Sequence, residues 1–313
     1  MFKDLFYILV FPGFAFLSLF ALAAEFYDRK LYARLQNRVG PPWFQPLADF
    51  IKLCAKEDVI PEAANQNIFK VMPVFVLASV VTASFYIPLW NNTALLSFNG
   101  DVIVVLYLLT IPTLGFFVGG WYSSSLFARL GSVRTITQLF TYEVPLFMGI
   151  LASALLADTW SLSELVSFYS QHGWLWLCNF VGFAVCLLAL LGKLEKTPFD
   201  IPEAETEIVA GSFTEYSGRL LAFLRLSTDI EMIVGSALLA AVFLPFSFNL
   251  GPGLGFILFI SKVMFIVSLL SLARTVAARL RLDQMITFCW KILTPLALLQ
   301  VFINLILKAK LIR

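Results

Sequence analysis

Long apolar stretches separated by shorter polar ones dominate the chain. A helix that crosses a bilayer needs about 20 mostly apolar residues. Eight stretches reach that length and predict eight transmembrane helices, at approximately 4–24, 72–90, 102–122, 138–157, 174–194, 220–245, 254–273 and 288–308. We therefore expect an all-α integral membrane fold. No polar linker divides the chain, so a single membrane domain over residues 1–313 is predicted.

Lysine and arginine are confined to alternate connections between these stretches. The odd-numbered connections carry them, for example at Arg34, Arg129, Lys196 and Arg279, whereas the second, fourth and sixth carry none. Positively charged loops remain on the cytoplasmic side of a membrane. The odd loops are therefore predicted to be cytoplasmic and both termini to lie outside, although the basic C-terminal residues are a mild exception.

The first odd loop contains a short amphipathic segment. Leu47, Phe50, Ile51 and Cys54 recur at the i, i+3, i+4, i+7 spacing of one helix face, and Pro46 suits a first helical turn. The pattern predicts a short helix that lies on the inner membrane face. The alternative is a loop helix packed on a partner protein.

Composition supports the membrane interpretation and argues against a metal or haem on this chain. Hydrophobic residues make up 60% of the chain and charged residues 13%, against about 25% charged in soluble domains. The four cysteines form no C-x-x-C pair, and there is a single histidine, His172. Iron–sulfur, zinc and haem ligation are therefore not expected. No catalytic residue and no metal site are predicted.

Ionisable residues inside predicted membrane helices are costly, so they indicate a function or a partner. Glu143 lies in the fourth helix without a local counter-charge, and we interpret it as part of a proton path. The alternative is a carboxylate hydrogen-bonded to a neighbouring helix. Arg225 and Asp229 are four residues apart and can pair on one face, which by itself favours a structural pair. Asp229, Glu231 and Lys262 add charges to the same path in the sixth and seventh helices.

The fifth loop holds the densest acidic stretch, with six carboxylates in residues 195–215. Apolar residues and prolines between them favour a folded loop over a solvated run of charge. Crowded, partly buried carboxylates raise one another's pKa and can therefore hold and pass protons near neutral pH. The residues assigned to this role are Asp200, Glu203, Glu205, Glu207 and Glu215.

Three stretches carry a family resemblance: residues 28–58, 198–216 and 279–298, which include Asp28-Arg29-Lys30, Pro198-Phe199-Asp200 and Asp283-Gln284-Met285. Together they resemble the membrane subunit that anchors the quinone chamber of respiratory complex I, and its homologues in energy-converting membrane hydrogenases. Thr141-Tyr142-Glu143-Val144 is similar to the fourth helix of that family. The stretches follow the family's order over almost the whole chain.

The resemblance implies a membrane-anchor and energy-coupling subunit of a multi-subunit oxidoreductase in the plasma membrane of a prokaryote. The implied partners are antiporter-like ion-pumping subunits and a cytoplasmic peripheral arm. That arm would carry iron–sulfur clusters and, in a hydrogenase-large-subunit-like chain, a NiFe site. Ferredoxin is the implied electron donor, and no nucleic acid is expected. This chain is expected to bind no cofactor, although contact with a lipid or a quinone fits the resemblance. The residues implied to line the chamber or dock the arm are Asp28, Arg29, Arg34, Arg38, Lys52, Asp58, Arg274, Arg279, Arg281 and Asp283.

Departures from the family pattern favour its hydrogenase-type branch. Lys193 stands where complex I usually has a glutamate, and so does Thr228. The loop at 38–45 is several residues shorter than the complex I form, in which it helps to frame the quinone entrance. We therefore favour a membrane-bound hydrogenase or a related sulfur-reducing complex.

Other functions stay open at this point. The first is the quinone-chamber subunit of a complex I-type NADH, ferredoxin or F420 quinone oxidoreductase. The second is a stand-alone secondary transporter, although such folds usually show internal repeats with interrupted helices, which this sequence lacks. The third is a purely structural anchor. The terminal acceptor and the pumped ion, H⁺ or Na⁺, are likewise open.

Overall fold

The structure is a computed structural model that describes residues 2–89, 93–172, 174–245 and 252–311. Within these residues the chain is helical and contains no strand. The helices are α1 (Phe2–Leu9), α2 (Phe14–Leu35), α3 (Gln45–Cys54), α4 (Gln66–Ser84), α5 (Asp101–Trp121), α6 (Leu126–Ala157), α7 (Leu162–Gln171), α8 (Leu175–Cys178), α9 (Phe180–Lys193), α10 (Glu205–Ile208), α11 (Gly218–Phe243), α12 (Pro252–Val276), α13 (Leu282–Phe288) and α14 (Thr294–Leu311). Single turns at Gly211–Phe213 and Cys289–Leu293 are of the 3₁₀ and π types.

Seven helical runs among the described residues are long and apolar enough to cross a membrane, and α9 is a shorter apolar helix. The prediction of an all-α integral membrane fold is confirmed. With 14 residues, α9 extends about 21 Å at 1.5 Å per residue, less than the roughly 30 Å of a hydrocarbon core. It is therefore the weakest of the eight predicted spans.

Two predicted boundaries are wrong by about a dozen residues. The first run extends from Leu5 to Leu35 rather than ending at residue 24, and α6 begins at Leu126 rather than at residue 138. The hydropathy pattern ended the first span at its first carboxylates. The helix continues because Glu25 and Asp28 are buried against oppositely charged residues of other elements.

Helix α11 lies at the centre of one half of the bundle. It packs against α2, α4 and α12, while α6 packs against α5, α9 and α14. Most side chains of α11 are buried, including that of Glu231. Glu231 on this helix therefore faces protein rather than lipid.

The amphipathic helix α3 forms where it was predicted, and it packs against α2 and α11. Pro46 is buried and Phe50 packs on the core, whereas Leu47 and Ile51 are 42% and 57% exposed. Trp43, just before the helix, is 75% exposed. This loop thus presents an apolar outer surface, which fits both a membrane interface and a partner protein.

Three buried amide side chains, Asn179, Gln300 and Asn304, join α14 to the N-terminus of α9. The Gln300 amide oxygen accepts a hydrogen bond from the Gly182 N–H at 3.1 Å, and its nitrogen donates to Asn304 at 2.8 Å. Asn304 donates to Asn179 at 2.8 Å. The first N–H groups of a helix have no partner within it, so this amide cluster supplies partners where the short α9 begins.

Candidate functional site

A charged cavity of about 430 Å³ lies between α2, α11, α12 and the segment that follows α9. Its ionisable wall residues come from four separate parts of the chain. They are Glu25, Arg29, Lys193, Glu195, Lys196, Asp200, Glu203, Arg225, Asp229 and Arg274. The fold therefore gathers around one cavity several charged groups that lie far apart in the sequence.

Asp28, whose side chain is 1% exposed, is neutralised by two cations beside the cavity. It accepts hydrogen bonds from Arg274 at 2.5 Å and from Lys196 at 2.7 Å. The hydroxyl of Ser271 donates to its other oxygen. An isolated buried carboxylate is strongly unfavourable, so these partners explain how Asp28 remains inside the bundle.

Lys196 links Asp28 to a second carboxylate on the same helix, Glu25, at 3.2 Å. Burial lowers the pKa of Lys196, but the two carboxylates outweigh that effect and raise it, so the ammonium stays charged. Glu25 also accepts from Arg29 at 2.6 Å, and Arg29 lies 3.5 Å from Asp49 on α3. A chain of alternating charges thus runs from the surface helix to α12.

A second ion pair, Lys193 with Glu231, lies at the cavity wall at 2.9 Å, with side chains only 2% and 1% exposed. Lys193 is the last residue of α9, where the helix dipole favours a cation. Its ammonium also donates to the Leu109 carbonyl and lies 5.8 Å from the Tyr142 ring centroid. The Tyr142 hydroxyl is hydrogen-bonded to Thr113 at 2.9 Å.

Glu195 is a buried carboxyl group for which the sequence predicted no role. Its side chain lines the cavity, and its Oε1 atom has no hydrogen-bond partner. Burial raises the pKa of Glu195 well above its usual range; Glu203 and Glu231 add to the rise, and Lys193 opposes it. The neutral acid is therefore favoured. The sequence feature that could have identified Glu195 is its position just after an apolar helix.

Several predicted relay residues do come together. Asp200, Glu203 and Asp229 line the cavity, and Glu231 forms an ion pair with the wall residue Lys193. Glu143, which is half-buried on α6, interacts electrostatically with Lys193. The relay assignment itself stays a prediction.

Other predicted relay residues lie elsewhere. Glu207 pairs with Arg134 at 2.6 Å outside the charged cavity, and this hydrogen bond and charge lower its pKa. Glu215 and Lys262 are half-buried, and neither is among the wall residues in the described part of the chain. The side chain of Glu205 lies outside the described residues.

The residues assigned to the chamber or to docking divide into two groups. Asp28 is buried and Arg274 half-buried in the ion-pair network, so they fit a chamber wall rather than an exposed docking face. The exposed ones are Arg29, Arg34, Arg38, Lys52, Arg279, Arg281 and Asp283. Asp58 pairs with Arg219 at 2.7 Å and ties the first loop to the start of α11.

A basic cavity of about 340 Å³ adjoins this exposed group. It is lined by Arg134, Arg279 and Arg281, by Glu207, and by three apolar residues. Arg279 also pairs with Asp200 at 3.1 Å. The basic cavity is therefore connected through Arg279 to the wall of the charged cavity.

Comparison with known proteins identifies the family. A family model described as NADH dehydrogenase matches residues 8–305. The chain belongs to this family. The H subunit of an NADH-quinone oxidoreductase from Carboxydothermus hydrogenoformans is 33% identical over 93% of this chain and 85% of the relative. The corresponding subunit from Bacillus mycoides is 34% identical over 96% of this chain and 94% of the relative. These family members are named as subunits of NADH-quinone oxidoreductases.

A solved structure shares the fold of this family member. The membrane-bound sulfane sulfur reductase, an archaeal respiratory membrane complex, contains a chain that superposes with a TM-score of 0.81. The match covers 93% of this chain and 96% of the other at 23% identity. At that identity the likeness establishes the fold alone.

No three His, Cys, Asp or Glu side chains among the described residues are grouped so that they could hold a metal ion. The described cysteines are all free thiols. The expectation that this chain carries no cofactor of its own stays a prediction.

Proposed function

We propose that this chain is the membrane-anchor and energy-coupling subunit of a ferredoxin-linked, ion-translocating oxidoreductase of the hydrogenase or sulfur-reductase type. The observation that carries the proposal is the charged cavity, with Glu195 in its wall and the buried Lys193–Glu231 pair beside it. Family membership favours a subunit of a complex over a stand-alone transporter.

Electron transfer in a docked arm would change the charge beside the charged cavity. Glu203 and Glu231 both disfavour the ionisation of Glu195, so such a change would move a proton among these carboxyl groups. Glu231 and Glu143 would then carry the perturbation along α11 and α6 towards ion-pumping partner subunits. The exposed and half-buried side of α6 near Glu143, with Phe140 63% exposed, is available for such a partner.

Docking of the arm is assigned to the exposed basic residues. Arg134, Arg279 and Arg281 form the basic cavity, while Arg34, Arg38 and Lys52 lie exposed around α3. Complementary charge steers and orients protein partners. The arm would therefore present acidic residues, and this face would be cytoplasmic, with the odd loops inside and both termini outside.

A quinone-reducing complex is the second candidate, because one specific feature favours it. A narrow gap between α2, α3 and α11 is lined by apolar Leu22, Phe50 and Leu226 and opens beside Arg29 and Asp229. The relatives at 33–34% identity are named NADH-quinone oxidoreductases. The short loop at 38–45 argues against a quinone-reducing complex.

Purification of the intact complex separates the two candidates. We expect mass spectrometry to find iron–sulfur and hydrogenase-large-subunit-like chains together with antiporter-like chains. Reduced ferredoxin should be oxidised with protons or sulfur species as the acceptor, and quinone-site inhibitors should not block the reaction. Strong inhibition, with resistance substitutions mapping to 39–44, would instead establish the quinone reductase.

The coupling role is tested with Glu143→Gln, which keeps the shape of the side chain and removes its proton exchange. Acceptor reduction and ion uptake are measured in the same sealed vesicles, with assembly followed on native gels. We expect an assembled complex whose ion uptake falls strongly, since a positioned proton-transfer group typically contributes about 10²–10⁴-fold to a rate. The matched control is Glu164→Gln, because Glu164 is exposed on α7. Normal ion uptake in the Glu143→Gln variant would show that Glu143 is a structural hydrogen-bond partner and not part of a proton path.

A further inference from the structure

We propose that Lys193 is a movable counter-ion that pairs with Glu231 in one state and with Glu195 in another, and so sets which of these carboxyl groups is ionised. Lys193 is then a positioning residue for proton movement. The inference rests on the proposed coupling function and names the group that performs it.

The backbone that carries Lys193 is held in place. The side-chain amide of Gln138 donates to the carbonyl of Gly192 at 2.6 Å and to that of Phe199 at 2.8 Å. Gly192 also packs directly on Tyr142. The end of α9 is thus pinned to α6 and to the fifth loop, whereas the ammonium sits on a flexible four-carbon stem.

One buried cation faces three carboxyl groups. Its direct partner is Glu231 on α11, at 2.9 Å. Glu195, two residues along the chain, and Glu143, on α6, both interact with it electrostatically. An ionised carboxylate in such a place needs a paired cation. A single ammonium stabilises one of these carboxylates well, so its position decides which one is ionised.

The surroundings of the ammonium lower the cost of moving it. The Leu109 carbonyl accepts a hydrogen bond from it, and the Tyr142 ring lies on another side at 5.8 Å. A carbonyl dipole and an aromatic face both stabilise a cation without pairing with it. These two groups would hold the ammonium while it exchanges carboxylate partners.

The step balances in protons and in charge. Initially Glu195 is the neutral acid and Glu231 the carboxylate paired with Lys193. Glu195 gives its proton to Glu231, and the ammonium moves to the new carboxylate on Glu195. Lys193 keeps its own protons throughout, and the net charge of the three groups does not change. A negative charge arriving in the charged cavity near Glu195 opposes the step, and its removal favours it.

The first test removes both members of the pair, in Lys193→Met/Glu231→Gln, so that no unpaired charge is left buried. The measured quantity is the number of ions taken up per electron in sealed vesicles. We expect this ratio to fall at least about fivefold in assembled complex. A ratio equal to that of the parent would overturn the proposal, because a purely structural pair can be replaced by neutral groups.

The second test, Lys193→Arg, keeps the pair and the charge. A guanidinium binds one carboxylate through two parallel hydrogen bonds and is less able to exchange partners. A structural ion pair would be preserved, whereas the exchange would be hindered, so we expect the same ratio to fall at least about threefold. If the assembled Lys193→Arg variant takes up as many ions per electron as the parent, the ammonium need not move.

A matched control neutralises an ion pair remote from the charged cavity. Lys308 and Asp158 pair at 2.6 Å, with Asp158 80% exposed, and Lys308→Met/Asp158→Asn should keep the parental ratio.

Comparison with Glu143→Gln separates the two proposals. If Glu143→Gln uncouples the complex but both Lys193 variants do not, the switch is wrong and the coupling function stands. If Glu143→Gln and the Lys193 variants all leave uptake intact, the coupling function itself is wrong.

Discussion

Asp28 and Lys196 show at the scale of single residues how this fold accommodates charge within a membrane domain. Asp28 has three donors, and Lys196 has two carboxylate partners. Removing one member of such a buried network leaves an uncompensated charge, which typically costs about 3–5 kcal/mol. Glu195 differs, because its Oε1 atom has no hydrogen-bond partner and its neutral form is favoured.

Glu195→Gln should therefore assemble normally and change the pH dependence of stability. The folded-state pKa of Glu195 is raised above its usual value of 4.5, so folding is increasingly disfavoured as the pH rises from the unfolded pKa towards the folded one. Glutamine removes this penalty. The variant should match the parent near pH 4 and unfold at a higher temperature than the parent at about pH 8.

Thermal unfolding of the purified complex, followed by intrinsic fluorescence at several pH values, checks this prediction. Glu164→Gln is the control, since Glu164 is exposed. A Glu195→Gln variant that is less stable than the parent at the higher pH would show that the ionised form of Glu195 is needed for folding.

At the scale of helices, α9 raises a specific problem. It is too short to cross a bilayer alone, so its first N–H groups lie within the protein and need partners. Asn179 precedes α9 and accepts hydrogen bonds from Gln300 and Asn304, and it donates to the Tyr169 hydroxyl at 2.8 Å. The amide cluster thus joins α14 to α9 by hydrogen bonds rather than by apolar packing alone.

Gln300→Leu should loosen this junction. The substitution leaves the Gly182 N–H and part of the amide cluster without partners, and each unsatisfied buried group costs about 1–3 kcal/mol. Hydrogen bonds inside membrane proteins contribute at the lower end of that range. We therefore expect the free energy of unfolding to fall by about 1–2 kcal/mol. Thermal stability of the detergent-solubilised complex measures it. Phe302→Leu, at a 63% exposed position on the same helix, is the control, and equal stability of the two variants would contradict the prediction.

At the scale of the whole molecule, the charged groups lie in two connected regions. The charged cavity adjoins the basic cavity through Asp200 and Arg279, and the chain of alternating charges reaches α3 through Arg29 and Asp49. The positive-inside rule predicts that this side of the bundle faces the cytoplasm. A peripheral arm docked there would lie within reach of Glu195 and Lys193.

Cysteine labelling tests this orientation in intact cells, in a background without the native cysteines. Ala63 and Asn99 are both exposed, and they lie in the first and second loops respectively. A cysteine at Asn99 should react with a membrane-impermeant maleimide from the outside, whereas one at Ala63 should react only after the membrane is permeabilised. Outside labelling at Ala63 would reverse the proposed topology.

The sequence by itself determined the fold class, seven of the eight predicted spans and the amphipathic helix α3, because each depends on local hydrophobicity and periodicity. It also identified the family through motifs at 28–58, 198–216 and 279–298. Glu143, Asp200, Glu203 and Glu231 could be singled out because a charge within or beside an apolar segment is conspicuous.

Only the tertiary structure decided which charges meet. Asp28 pairs with Lys196 and Arg274, which are 168 and 246 residues away in the chain, and neither separation leaves a trace in local periodicity. The pairing of Lys193 likewise leaves no trace in local periodicity. In the sequence it is a basic residue at a helix end, whereas the fold buries it against Glu231. Helix α2 continues past its first carboxylates for this reason. The free energy of a buried charge depends on the partners that distant helices bring to it, and hydropathy averaged along the chain contains no information about those partners.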